Sequence, residues 1–195
     1  MEKNTLTVGA LAVIVGISIG YLVWGTTGAP SGAHMMPDGS MMGQNIDQHF
    51  IVQMIPHHEG AIEMAQVALE RSKRPEILSL AQGIIEAQTR EINDMKAWYQ
   101  SWFGGVPPQG GFGMGMHMGG MTGDTNVLAS VSAQEFDREF MEQMIPHHEM
   151  AIMMAGMLTA TTDRAEMKQL ADNVVTSQSR EIEMMRSWLK SWYSQ

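Results

Sequence analysis

The sequence contains no cysteine. This absence excludes disulfide bonds, thiolate zinc sites and cysteine nucleophiles. The sequence also lacks any stretch in which apolar and polar residues alternate with a period of two, so we expect no β-sheet. An all-α protein is compatible with both absences.

Positive charge is scarce as well. The 195 residues include 12 Lys and Arg against 21 Asp and Glu, which gives a formal net charge of −9. An acidic chain does not favour nucleic acid as a partner, whereas it does favour cations. No basic residue occurs between Lys3 and Arg71.

One long uncharged run lies near the N-terminus, at residues 5–24. It has about the 20 residues that a transmembrane helix needs, and Tyr21 and Trp24 lie where aromatic rings prefer the membrane interface. Because Lys3 precedes the run, we expect residues 1–4 in the cytoplasm and the rest of the chain on the periplasmic side. The protein would then be a single-pass protein of the cell membrane. A cleaved signal peptide is the alternative.

Methionine and histidine are abundant, with 21 Met and 7 His. The hexapeptide MIPHHE occurs at residues 54–59 and again at residues 144–149. Displacing the chain by 90 residues aligns residues 47–103 with residues 137–193 without a gap, and 25 of the 57 positions are identical. The chain therefore contains a duplicated unit.

Each unit is expected to form two helices, because its apolar residues recur with a helical period. The predicted helices cover about 47–71, 75–102, 132–160 and 164–193. Short connections make each pair an antiparallel hairpin with one apolar face uncovered, and two hairpins can cover each other. The predicted fold is therefore all-α, a four-helix bundle built from duplicated hairpins at residues 46–103 and 131–195 and preceded by the transmembrane helix.

Two glycine-rich segments flank the first hairpin, a tether at residues 25–45 and a linker at residues 104–130. Such segments cannot bury a core, so we expect both to be flexible. Both carry methionine and histidine where a plain linker would carry serine, and these residues are secondary metal-ligand candidates: His34, Met35, Met36, Met114, Met116, His117, Met118 and Met121. Thioethers favour Cu(I), and imidazole suits either oxidation state of copper. A low-complexity linker with an accidental bias is the alternative.

Each MIPHHE block places two adjacent histidines about 100° apart on a helix, so one is directed toward each neighbouring helix. The pairs are His57 with His58 and His147 with His148. Glu91 and Glu181 lie close to the apolar stripe of the following helix in each unit. A carboxylate directed at a core needs a partner. The candidates are Arg90 or Arg180, a histidine of the first helix, or a metal bound by that histidine.

The run M-I-P-H-H-x-x-A-I-x-M-A, followed by R-E-I-x-x-M-x-x-W, resembles the CopM-like copper-binding family. This is a bacterial domain-of-unknown-function family with a ferritin-like helical fold. The resemblance covers both repeats and implies copper binding, tolerance or trafficking outside the cytoplasm. At the matching positions it implies these metal ligands: Met54, His57, His58, Met64, Met95, Met144, His147, His148, Met154 and Met185. It covers neither the N-terminal run nor the Met-rich linkers.

Together these features predict a membrane-anchored, extracytoplasmic copper-binding protein that serves copper buffering, resistance or trafficking and is not an enzyme. The expected ligand is Cu(I), with Cu(II) as a second option, and silver could use the same side chains. The expected partners are metal ions, the membrane through the N-terminal helix, and a copper exporter or acceptor protein.

Two other functions are compatible with the sequence. One is a ferritin-like oxidoreductase with two metals held by His and Glu in the bundle core, although the Glu-x-x-His pattern of di-iron bundles is absent. The other is a partner-binding module that uses its methionines as an adaptable docking surface. The second reading gives the two His-His-Glu blocks no purpose.

Overall fold

A computed structural model describes residues 42–108 and 123–193 of the protein, with side chains from Ile46 onward. These residues form five helices and no strand. The helices are α1 (Met42–Arg71), α2 (Pro75–Phe103), α3 (Thr125–Ser130), α4 (Phe136–Thr159) and α5 (Ala165–Tyr193). The prediction of an all-α fold is confirmed for this part of the chain.

Several predicted segments lie outside the described residues: the N-terminus at 1–4, the transmembrane run at 5–24, the tether up to residue 41 and the linker residues 109–122. Within the described ranges, no helix combines the length and the apolar character needed to cross a membrane.

The helix ends follow from local sequence. Pro75 occupies the first turn of α2, where its missing N–H would have no helical partner. Gly104 ends α2 with a φ of 74°, a conformation that glycine adopts without strain. α1 begins at Met42, so the last residues assigned to the tether are helical, and α3 lies within the segment assigned to the linker.

The four long helices form two hairpins, α1 with α2 and α4 with α5, and α1 packs against α4. Two apolar clusters fill the interior. The first apolar cluster joins the N-terminal half of α1 and the C-terminal half of α4, and includes Met54, Ile92, Met95, Ala151 and Val174. The second apolar cluster joins the opposite halves, and includes Ala61, Met64, Ile84, Met144 and Met185. The two repeats therefore contribute to both clusters.

Charged side chains connect the two hairpins. Nε of Arg164, just before α5, lies 3.2 Å from Oδ2 of Asp47 at the start of α1, and its guanidinium is 4.0 Å from the ring centre of Trp102. Because the Asp47 side chain is almost fully buried, desolvation raises the pKa of that carboxyl, and the Arg164 charge opposes the rise. The other hairpin repeats the ion pair between Arg74 and Asp137, at 3.1 Å.

Candidate metal centre

A layer of buried polar side chains separates the two apolar clusters at the middle of the bundle. We call it the polar layer, and its members are His57, His58, Gln88, His147, His148 and Gln178. None of them is more than 3% exposed. On every long helix these residues fall between the positions that belong to the first cluster and those that belong to the second. Burying polar side chains costs free energy unless they are hydrogen-bonded or bind a ligand. The polar layer is therefore a candidate binding site.

His57 and His147 meet at the centre of this layer, where α1 packs against α4. Their ring centroids are 3.7 Å apart and the ring planes are inclined by 39°. Burial lowers the pKa of His57 to about 2, and the neighbouring imidazoles of His147, His58 and His148 add to the effect. His57 is therefore neutral at physiological pH. Neither of its ring nitrogens makes a hydrogen bond of ordinary geometry with a described residue.

The second histidine of each pair is held by a carboxylate of its own hairpin. Nε2 of His58 lies 2.7 Å from Oε2 of Glu91 on α2, and Nε2 of His148 lies 2.6 Å from Oε2 of Glu181 on α5. The adjacent histidines thus face different neighbours, one toward the other hairpin and one toward its own. This arrangement agrees with the helical-wheel prediction.

These hydrogen bonds leave one nitrogen of each imidazole for another ligand. In the neutral tautomer that donates Nε2–H to the glutamate, Nδ1 carries the lone pair. Nδ1 of His58 and Nδ1 of His148 are buried and have no hydrogen-bond partner among the described residues. A histidine that donates one N–H to a carboxylate and offers its other nitrogen is the usual arrangement around protein-bound metals. The polar layer therefore fits a metal that accepts nitrogen ligands.

The described residues do not contain three His, Asp or Glu side chains placed together so as to hold one metal ion. A carboxylate-bridged two-metal centre would need such a group. A site in this layer must instead combine few imidazoles with other donors, and fully buried thioethers lie one helical turn before each histidine pair, at Met54 and Met144.

The predicted methionine ligands occupy different surroundings. Met54 and Met144 are fully buried one helical turn before the histidine pairs, and Met95 and Met185 are buried one turn after Glu91 and Glu181. Met64 is also fully buried, but it contacts Gly123 at the start of the segment that leads into α3. Met154 is half-buried against the first apolar cluster. Four of the six methionines thus border the polar layer.

The secondary candidates in the tether and linker lie outside the described residues. They are His34, Met35, Met36, Met114, Met116, His117, Met118 and Met121. The secondary candidates Glu91 and Glu181 contact histidines, as described above. Gln88 and Gln178 of the polar layer were not predicted as site residues, although both occupy the same position of the repeat within an apolar stripe, which is a signal that the sequence contains.

The profile of the family described as Domain of unknown function (DUF305) matches residues 47–192. Among solved structures, CopM in the Cu(II)-bound form is 49% identical with a TM-score of 0.69, covering 75% of this chain and 97% of that chain. CopM in the Cu(I)-bound form is 47% identical with a TM-score of 0.67, covering 76% and 98%. CopM in the Ag-bound form obtained by co-crystallization is 46% identical with a TM-score of 0.67, at the same coverage.

Two further relatives extend the comparison. A DUF305 fragment from Deinococcus radiodurans is 29% identical with a TM-score of 0.66, covering 75% of this chain and 96% of that fragment. Uncharacterized protein L153 of Acanthamoeba polyphaga mimivirus is 37% identical over 65 residues, which are 32% of this chain and 43% of the viral protein. The matched part is thus less than half of the viral protein. Because the family profile matches far more than half of the sequence, this chain belongs to the DUF305 family of domains of unknown function.

Proposed function

We propose that this protein binds copper outside the cytoplasm, as a membrane-anchored protein for copper buffering, resistance or trafficking, and that it is not an enzyme. The similarity to CopM in its Cu(II)-, Cu(I)- and Ag-bound forms supports copper and silver as the metals. The soft thioethers and imidazoles of the repeat belong to the ligand types that suit Cu(I) and Ag(I).

The observation that carries this proposal is the set of buried imidazole nitrogens in the polar layer. Nδ1 of His58, Nδ1 of His148 and both ring nitrogens of His57 are buried and make no hydrogen bond of ordinary geometry with described residues. A buried polar atom without a partner costs on the order of 1–3 kcal/mol. A metal ion supplies a partner for the one lone pair of each neutral imidazole, which removes that part of the cost in the metal-bound protein.

The carboxylates complete the electrostatics of the proposed site. Glu91 and Glu181 orient His58 and His148 and place two negative charges beside the layer. Carboxylates at these positions offset the charge of a bound cation, which lowers the cost of burying it. Met54 and Met144, one turn away on the same helices, are the thioether ligands that we assign to the layer. We assign Met64 to packing, because it lies against Gly123.

The remaining parts of the proposal rest on the sequence. The uncharged run at residues 5–24, with Lys3 before it and no basic residue until Arg71, supports an anchor that leaves the helical domain on the periplasmic side. The methionines and histidines of the tether and linker would capture metal, and a copper exporter or acceptor protein would take it over.

An anaerobic Cu(I) titration of the full-length chain against a chromophoric chelator tests the proposal. The test variant carries His57→Phe and His147→Phe, which remove the central imidazole pair while retaining ring-shaped side chains. We expect the affinity for the Cu(I) ion bound in the polar layer to fall by at least about 100-fold, because its ligands are lost. We also expect the metal-free protein to be as stable as the parent or about 1 kcal/mol more stable, because the buried ring nitrogens of His57 are removed.

Two controls keep this test interpretable. Thermal unfolding of the metal-free variant shows whether the bundle is retained. Zn(II) and Fe(II) are titrated in parallel. Cu(I) binding that is unchanged in a folded variant would place the function away from the polar layer, and a preference for Fe(II) or Zn(II) would overturn the copper assignment.

A further inference from the structure

A surface groove runs between the N-terminal part of α1 and the C-terminal end of α4. We call it the exposed groove. Its volume is about 500 Å³, and most of its lining is apolar. Three of its lining residues carry metal-binding side chains, namely His49 on α1 and Met154 and Met157 on α4. The groove is therefore bordered by an imidazole on one helix and two thioethers on the other.

All three side chains reach solvent, and the exposure of Met157 is uncommon for a methionine. Met157 is 57% exposed, His49 is exposed, and Met154 is half-buried. A core needs methionine for packing, but a thioether at the surface gains nothing from burial. Met154 and Met157 are spaced i, i+3, so they lie on the same face of α4 and are directed at the same groove.

The repeat supplies an internal control for this groove. Positions 90 residues apart correspond, so the equivalent groove lies between the C-terminal part of α1 and the start of α4. We call it the covered groove, because Leu128 of α3 is fully buried in it and Gly123 contacts the side chain of Met64. Arg71 donates hydrogen bonds to the carbonyls of Ala129 and Val131, which hold this segment in place.

The two grooves differ in ligand residues. Met64 corresponds to Met154, so one methionine is common to both. At the other two positions the covered groove has Glu139 and Val67, where the exposed groove has His49 and Met157. The exposed groove, which α3 does not cover, thus has an imidazole and a thioether at the two positions where the covered groove has a carboxylate and an aliphatic side chain.

We propose that the exposed groove is a second metal site, distinct from the polar layer, in which His49, Met154 and Met157 bind a soft monovalent cation, Cu(I) or Ag(I). None of the described residues that line the groove is acidic. Neutral nitrogen and sulfur donors without a carboxylate favour a soft monovalent ion over a hard divalent one. Because its ligands reach solvent, the site exchanges metal with the surroundings, which the fully buried polar layer cannot do directly.

This inference rests on the proposed function, because it concerns the same metals, but the proposed ligands are different residues. The test therefore follows the methyl signal of each methionine separately, so that binding at the two sites can be distinguished. The full-length chain is labelled with [methyl-13C]methionine and titrated with Ag(I), a redox-inert probe. Methyl signals are assigned with Met154→Leu and Met157→Leu, and the titration is repeated with Cu(I) under anaerobic conditions.

We expect the methyl signals of Met154 and Met157 to shift together, at the same number of Ag(I) equivalents. His49→Gln should reduce the apparent Ag(I) affinity of both signals by at least about tenfold, since one of three ligands is lost. Met153→Leu is the matched control, because Met153 is 50% exposed on the same helix but does not line the groove. This control should leave both signals unchanged.

The outcomes separate the two proposals. In the His57→Phe, His147→Phe variant the groove signals should shift as in the parent, because the sites are distinct. Signals that are insensitive to His49→Gln, or a Met153 signal that responds to Ag(I) as strongly as that of Met157, would overturn the groove site while leaving the proposed function intact. A parent chain that binds neither Ag(I) nor Cu(I) would overturn both.

Discussion

The two grooves between α1 and α4 are formed by corresponding positions of the duplicated sequence, but their surroundings differ. In the covered groove, Met64 is fully buried and Leu128 of α3 packs over the helices. In the exposed groove, the corresponding Met154 is half-buried beside the exposed Met157. The methionine at this repeat position is thus fully buried on one side and a half-buried candidate ligand on the other. The comparison teaches that a residue's position in a repeat does not decide its role; the neighbouring segment does.

Removing the cover should cause the largest change. Leu128→Ala deletes a fully buried side chain of α3, and we expect the free energy of unfolding to fall by about 2–5 kcal/mol, as for other buried leucines. Chemical denaturation measures this directly. Val127→Ala is the control, because Val127 on the same helix is 38% exposed and should change stability by less than about 0.5 kcal/mol. Equal losses from both variants would show that α3 does not cover the groove.

The polar layer offers a second comparison, between a carboxylate that holds a histidine and one that lies at the surface. Glu91→Gln retains the shape of the side chain but replaces the carboxylate that lies 2.7 Å from Nε2 of His58. We expect the Cu(I) affinity to fall by about 10- to 100-fold, measured by chelator competition. Glu59→Gln is the control, since Glu59 pairs with Lys96 at 3.5 Å and both side chains are about half exposed. Equal effects of the two variants would contradict a positioning role for Glu91.

The smallest effect is expected when the ligands are moved to the covered groove. The double variant Glu139→His, Val67→Met gives that side the ligand residues of the exposed groove. We expect less than about a twofold change in Ag(I) binding, because Leu128 and Gly123 already occupy the space beside Met64. Ag(I) titration followed through the methionine methyl signals measures it. A new silver site with the parent's affinity would show that ligand type alone, without an open groove, suffices.

Much of the fold could be predicted because its signals are local. The helical period, the proline at position 75 and the short connection before it are all encoded within about one helix length, and α2 indeed begins at Pro75. The start of α1 at Met42 and the short helix α3 were not predicted. Both lie in glycine-containing stretches that carry little periodicity of their own. For α3 the stabilising contact is tertiary, through Leu128 in the second apolar cluster.

The candidate site was predictable in part. The duplicated histidines and their 100° separation are sequence facts, and they indicated one histidine toward each neighbouring helix. The close contact between the rings of His57 and His147 was not predictable, because it depends on how the two hairpins pack. His49 and Met157 were not selected as ligands either. Only the tertiary structure brings them into one groove, since the two residues are far apart in sequence on different helices.

The sequence by itself determined that this is a duplicated helical protein without thiol chemistry, rich in soft ligands and with a histidine pair in each repeat. These are properties of residue type and spacing, which need no packing to be expressed. The tertiary structure decided which nitrogens of His57, His58 and His148 are buried without partners, and which methionines reach solvent. Those outcomes arise from helix packing and from the asymmetric position of α3, and both depend on contacts between residues distant in the chain.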